Sequence, residues 1–199
     1  GLELFSGKKN LDNEIIILNS YSISEKIIEE LNLGISYFQH GFLITNELFE
    51  NSPFKVSVDS NHLQLTGIDF QIVPLNNEEF TLFISNDNKY PYNISTEKLD
   101  KSLIADFDIE KDYSFNSVIE SDFLSFSIIK TESFDLEEIL KSRKYFSFKF
   151  HQIDNLVNNL IKEISINPIN NEASILRLNI KGETPKKNIK ILNKLTELY

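Results

Sequence analysis

Between Pro53 and Lys130 apolar residues recur at every second position in short runs, and no other feature of the chain restricts its fold as strongly. The runs are Phe54, Val56, Val58; Ile68, Phe70, Ile72; and Phe80, Leu82, Ile84; a fourth, Phe123, Phe126, Ile128, has a first step of three residues. A period of two puts alternate side chains on one face of an extended strand, so each run predicts a strand with one buried side. Successive runs start roughly ten residues apart, and the turn formers Asn76-Asn77 and Asn86-Asp87-Asn88 stand between several of them. No helix-length periodic stretch separates the runs, so the strands have no parallel crossovers and must pair antiparallel.

On both sides of this region the period changes. Leu11, Ile15 and Leu18 form one helical stripe and Ile23, Ile27 and Leu31 another, which predicts two helices broken at Ser20 to Ser22. Ser22 with Glu25 three residues on reads as a capping box, and Gly34 as the left-handed residue that ends the second helix. Downstream, Ser133 to Lys144 predicts a helix, with Asp135, Glu137 and Glu138 at its start and Lys141, Arg143 and Lys144 at its end, matching the helix dipole. A strand through Phe146, Phe148 and Phe150 follows. Next is a helix whose apolar residues, Ile153, Leu156, Val157, Leu160, Ile161 and Ile164, lie on one face.

Strands over residues 164–169 and 173–181 then lead to a last helix. Thr184 is its expected N-cap, Pro185 its first residue, and Ile189, Leu192, Leu195 and Tyr199 its apolar stripe. The order of elements defines an α+β chain. The expected organisation is an α/β base built from residues 1–52 and 145–199, with residues 53–144 inserted as an antiparallel β-rich unit. No capping residue follows Tyr199 and position 1 is Gly, so the expectation is a segment cut from a longer protein.

Composition narrows the chemistry. The chain has no cysteine, which excludes disulfides, thiolate metal sites and cysteine nucleophiles. With 30 acidic against 20 basic residues its net charge is −10, and nucleic acid is not an expected partner because phosphate backbones are bound by clustered Lys and Arg. His40, His62 and His151 are scattered, and none stands at metal-ligand spacing. Asp106, Asp108 and Glu110 alternate along one strand, which makes that side its wet face rather than a pair of carboxylates opposed across a glycosidic bond.

The stretch near Asp87 lacks the Gly and distal Glu of a calcium loop. Gly34, Gly41, Gly67 and Gly182 are isolated turn glycines, not a phosphate loop. Asn93-Ile94-Ser95 matches a glycosylation triplet of the kind that arises by chance in an Asn- and Ser-rich chain. No catalytic, cofactor or metal residue is therefore expected. Lys186, Lys187, Lys190 and Lys194 are the candidate contact residues: two of them oppose the helix dipole at the first turn, and the set either meets an anionic neighbour, a protomer or an acidic glycan, or is a solvated face.

Three segments carry a family resemblance. They are Asn13-Glu-Ile-Ile-Ile-Leu-Asn-Ser20 with Ser24-Glu-Lys-Ile-Ile-Glu-Glu-Leu-Asn-Leu33; Glu47-Leu-Phe-Glu-Asn-Ser-Pro-Phe54; and Ser174-Ile-Leu-Arg-Leu178 followed by Thr184-Pro-Lys-Lys-Asn-Ile-Lys-Ile-Leu-Asn-Lys-Leu-Thr-Glu-Leu-Tyr199. In order and spacing they resemble the periplasmic region of bacterial polysaccharide co-polymerases, the chain-length determinants. The branch they look most like is the tyrosine autokinases of capsule and exopolysaccharide export in Bacteroidetes-like bacteria. Asn188 departs from the Ala usual in that pattern.

The resemblance implies a periplasmic domain of an inner-membrane protein, flanked by two transmembrane helices and assembled into ring-like homo-oligomers. It also implies partnership with the polysaccharide polymerase and export machinery, and control of glycan chain length or export. Any tyrosine kinase activity, with its ATP and Mg, belongs to a cytoplasmic part, so this segment is expected to be no enzyme. The alternative expectation is an exported α+β binding or adhesion module.

Overall fold

The computed structural model describes residues 11–142, 144–170 and 175–199, and the fold is α+β. The chain divides into two compact units, one combining Gly1–Gly34 with Ile153–Tyr199 and the other comprising Ile35–Gln152. Of the residues singled out above, Gly1, Arg143, Ala173 and Ser174 lie outside the described residues.

The first unit begins with α1 over residues 11–18 and α2 (Tyr21–Glu30). The break falls where the stripes reset, but the N-cap is Ser20 rather than Ser22: its Oγ accepts from Ile23 N–H at 3.4 Å. Ser22 is already inside the helix, so no capping box forms. The helix also ends differently from expectation. Asn32 takes the left-handed conformation at φ 52°. Leu33 N–H bonds back to Ile28 O at 2.9 Å and Asn32 N–H to Glu29 O at 3.0 Å. These two bonds satisfy the last carbonyls in a Schellman motif, and buried Leu33 and Ile28 supply its hydrophobic contact. Gly34 lies beyond the motif.

The second unit runs through β1 (Ile35–His40), β2 (Thr45–Glu47), β3 (Phe54–Val58), β4 (Leu63–Gln64), β5 (Phe70–Pro74) and β6 (Glu79–Lys89). It continues with β7 (Tyr92–Asn93), β8 (Lys98–Leu99), β9 (Ala105–Ser114), β10 (Val118–Ser121), β11 (Leu124–Lys130), α3 (Leu136–Ser142) and β12 (Tyr145–Phe150). Six strands form one sheet in the order β2-β1-β12-β5-β6-β9, and β10-β11-β3 form a second. Every pairing in them is antiparallel, as the alternation requires.

Phenylalanine joins the two sheets. Phe70 and Phe148, cross-strand partners, stack at 4.7 Å, and Phe126 of β11 meets them edge-on at 5.6 and 5.4 Å. Phe54 of β3 meets Phe146 edge-on at 5.9 Å. Full burial of each such ring is worth about 1.5–3 kcal/mol, and each well-oriented pair about 0.5–1.5 kcal/mol more.

Two sequence expectations change here. Asn86-Asp87-Asn88 is not a turn between strands; β6 continues through it, with a register shift against β9 between Asn86 and Lys89 and with Asn88 at φ 51°. The residue type that favours turns also tolerates the left-handed conformation of a bulge. The helix expected over 133–144 starts only at Leu136, because Asp135 acts as its cap and accepts from Glu138 N–H at 3.0 Å, and it is described as far as Ser142.

The chain then returns to the first unit through α4 (Ile153–Glu163), β13 (Ile164–Pro168), β14 (Leu176–Ile180) and α5 (Pro185–Leu198). Its core holds Leu18, Ile27, Ile28, Val157, Leu160, Ile191 and Leu195. On α5 the buried face is centred on Ile191 and Leu195, whereas Ile189 and Tyr199 of the expected stripe are exposed. The unit boundaries also differ from those expected at 52/53 and 144/145. β1 and β12 pair with each other over their full lengths and β12 pairs with β5, which makes both part of the β-rich unit.

Candidate functional site

The four lysines of α5 do not form one free cationic cluster. Lys194 Nζ contacts Glu30 of α2 at 3.0 Å and Glu197 one turn on at 2.8 Å, and its side chain is only 17% exposed. The hydrogen bonds that Lys194 donates to Glu197 and then to Glu30 push its pKa up, so it stays charged and ties α5 to α2. Lys186 and Lys190 are exposed and Lys187 is half-buried. These three remain as candidate contacts. At the helix start, Thr184 makes no side-chain capping bond; Asn188 Nδ2 instead donates to Gly182 O at 3.0 Å.

The expected wet face of β9 is present. Asp106, Asp108 and Glu110 are exposed along the outermost strand of the six-stranded sheet. A row of charges on an edge strand opposes pairing with another chain, which explains the pattern without chemistry at these carboxylates.

The histidines fall in three places, all in the second unit. His62 Nδ1 donates to Leu63 O at 2.8 Å, and His151 Nε2 lies 2.9 Å from Ser36 Oγ. His40 has the richest surroundings. Its Nε2 is 2.7 Å from Ser147 Oγ, its Nδ1 is 3.1 Å from Thr45 Oγ1, and its ring stacks on Tyr145 at 4.5 Å. Partial burial lowers its pKa; Asp69 nearby works the other way and Lys149 adds to the lowering.

Ser147, His40 and Asp69 have the residue types of a hydrolytic triad but not its order. The carboxylate accepts from Ser147 Oγ at 3.5 Å instead of orienting the imidazole, and Ser147 is 1% exposed, so a substrate carbonyl cannot reach it. The cluster satisfies polar groups on the sheet face opposite the phenylalanine core.

Along that face one register row crosses all six strands: Glu47, Phe38, Ser147, Gln71, Phe83 and Glu110. In the same unit, Gln39, Leu48, Asp135, Glu138, Ile139 and Lys144 help line an open groove of about 220 Å³. Small-molecule pockets usually occupy ~300–1,000 Å³ and are mostly apolar, so this groove lacks both the size and the character of one. Among the described residues, no group of three His, Asp or Glu is placed to hold a metal ion, and no helix is long and apolar enough to cross a membrane.

Sequence reasoning missed one exposed feature, the β1–β2 hairpin with Phe42, Leu43 and Ile44 at its tip. The available signal was three large apolar residues after Gly41 with no polar residue among them. No protein-family model matches the chain, and no curated protein matches it.

Proposed function

We propose that the chain is a periplasmic domain of a polysaccharide co-polymerase, acting without catalysis of its own to help set the length, assembly or export of a capsular or extracellular polysaccharide. One observation carries the reading: the two chain ends, which hold most of the residues of the resemblance, belong to a single compact unit although more than a hundred residues separate them. A base made of both ends is what a domain held at two membrane attachments needs. The Glu47 to Phe54 segment falls in the other unit and adds nothing to this argument. In the complete protein the partners would be further copies in a ring, the polymerase and the export apparatus, with the inner membrane reached through flanking segments.

The test is genetic and chemical. Deleting the gene should alter the length distribution of the cell's polysaccharide on a gel, and restoring it should return the distribution. Replacing Lys187 and Lys190 together by Glu in the complete protein asks whether α5 contacts a protomer or glycan: a changed distribution assigns that contact, and an unchanged one returns both lysines to a solvated face. An unchanged polysaccharide in the deletion strain sinks the reading as a whole and leaves a binding or adhesion module.

A further inference from the structure

The tip of the β1–β2 hairpin is an exposed apolar projection of the second unit. Gly41 N–H donates to Ile44 O at 2.9 Å and closes the turn, which leaves Phe42 100%, Leu43 87% and Ile44 66% exposed. None of the three belongs to the core of the unit. The hairpin lies at the margin of the six-stranded sheet, where β2 is the outermost strand and only three residues long.

We propose that this tip inserts into the interfacial zone of a lipid bilayer. The area available decides between a bilayer and a second protein surface: a stable protein interface buries about 800 Å² on each partner, more than three side chains at the end of a hairpin present. Insertion into lipid needs no such patch, only a narrow apolar projection backed by residues suited to the headgroup layer. The backing is present one rung behind the tip. His40 and Tyr145 are directly paired across the strands and stacked, Tyr145 is 40% exposed, and Lys144 next to it reaches Gln39 Oε1 at 3.3 Å. Amphipathic rings and long cationic side chains favour that depth, with their apolar parts inward and polar ends in water.

The chain's net charge of −10 works against attraction to anionic lipid, so the driving force is apolar and a zwitterionic surface is the better host. The inference stands on the hairpin alone and does not rest on the polysaccharide reading.

The absence of tryptophan makes the test direct, because Phe42→Trp introduces a single indole at the tip. With phosphatidylcholine vesicles its emission should shift to the blue and be quenched by lipids brominated on the acyl chains. The unlabelled chain should float with the same vesicles. Replacing Leu43 and Ile44 together by Ser should cut the bound fraction about tenfold, with the far-ultraviolet circular dichroism unchanged. Phosphatidylglycerol vesicles should bind more weakly at low salt and approach phosphatidylcholine as salt rises. An indole that stays exposed at millimolar lipid overturns the proposal, as does unchanged binding by the double serine variant. Binding confined to phosphatidylglycerol and lost in salt overturns it in favour of a charge contact, and a lipid-free blue shift that grows with protein concentration overturns it in favour of a second copy of the chain.

Discussion

The side-chain amide of Asn188 closes the turn that leads into α5 by donating to Gly182 O. A side chain at Gly182 would place its Cβ 2.6 Å from Asn188 Oδ1, well inside contact distance, so the glycine and the asparagine depend on each other. Gly182→Ala should therefore displace the amide, break the bond to Gly182 O and cost about 1 kcal/mol. In an Asn188→Ala background the same change should cost close to nothing, a coupling that chemical denaturation of the four proteins in a double-mutant cycle measures. Equal costs in both backgrounds would show that the two positions are independent. The sequence shows Asn188 as a departure from a pattern, but not its partner, because a turn glycine six residues earlier carries no label of the side chain that needs its space. Lys194 is a harder case still: Glu30, which holds it, lies at the far end of the chain.

At the scale of elements, legibility follows how cleanly one physical requirement dominates. β3, β5 and β6 have one buried face, so their alternation survives in the sequence; on β11 the buried row is Leu124, Phe126 and Ile128, and Phe123 of the expected run lies just before the strand. β1 hid because both its faces are partly buried: Tyr37 and Gln39 point toward the core side while Phe38 and His40 line the other, and the period of two disappears. Helix ends are legible to within a turn, but the residue that caps them is not. Ser20 and Ser22 are equally good caps by type, and only the backbone decides, since Ser20 is extended at ψ 150° and so free to turn its hydroxyl onto the first amides. Ser20→Ala should accordingly cost roughly 0.5–1 kcal/mol, whereas Ser22→Ala should change little. Thermal unfolding of the two variants side by side checks this, and a larger loss from Ser22 would restore the capping box. The acidic residues of β9 were legible as a wet face. Their place at the sheet edge was not, because edge position depends on which strands pair.

For the whole molecule, the expected boundaries at 52/53 and 144/145 followed the change of pattern in the sequence, whereas the units separate at 34/35 and 152/153, where the pairing of β1 with β12 closes the second unit. That unit is one continuous segment with its own core, so a fragment of residues 35–152 should fold alone and keep the near-ultraviolet circular dichroism of its packed aromatic rings. A fragment that stays unfolded would show that the division marks a seam within one cooperative body. The pairing also has a mechanical consequence. Ile35 and Phe150 are opposite each other on antiparallel neighbours, so a pull that reaches this unit through its two connections arrives at one end of a ladder whose rungs lie along the load. Rungs loaded in that way open one after another instead of sharing the force. Once tension reaches it, the β-rich unit should peel from Ile35 inward at low force, however well its phenylalanine core resists heat or denaturant.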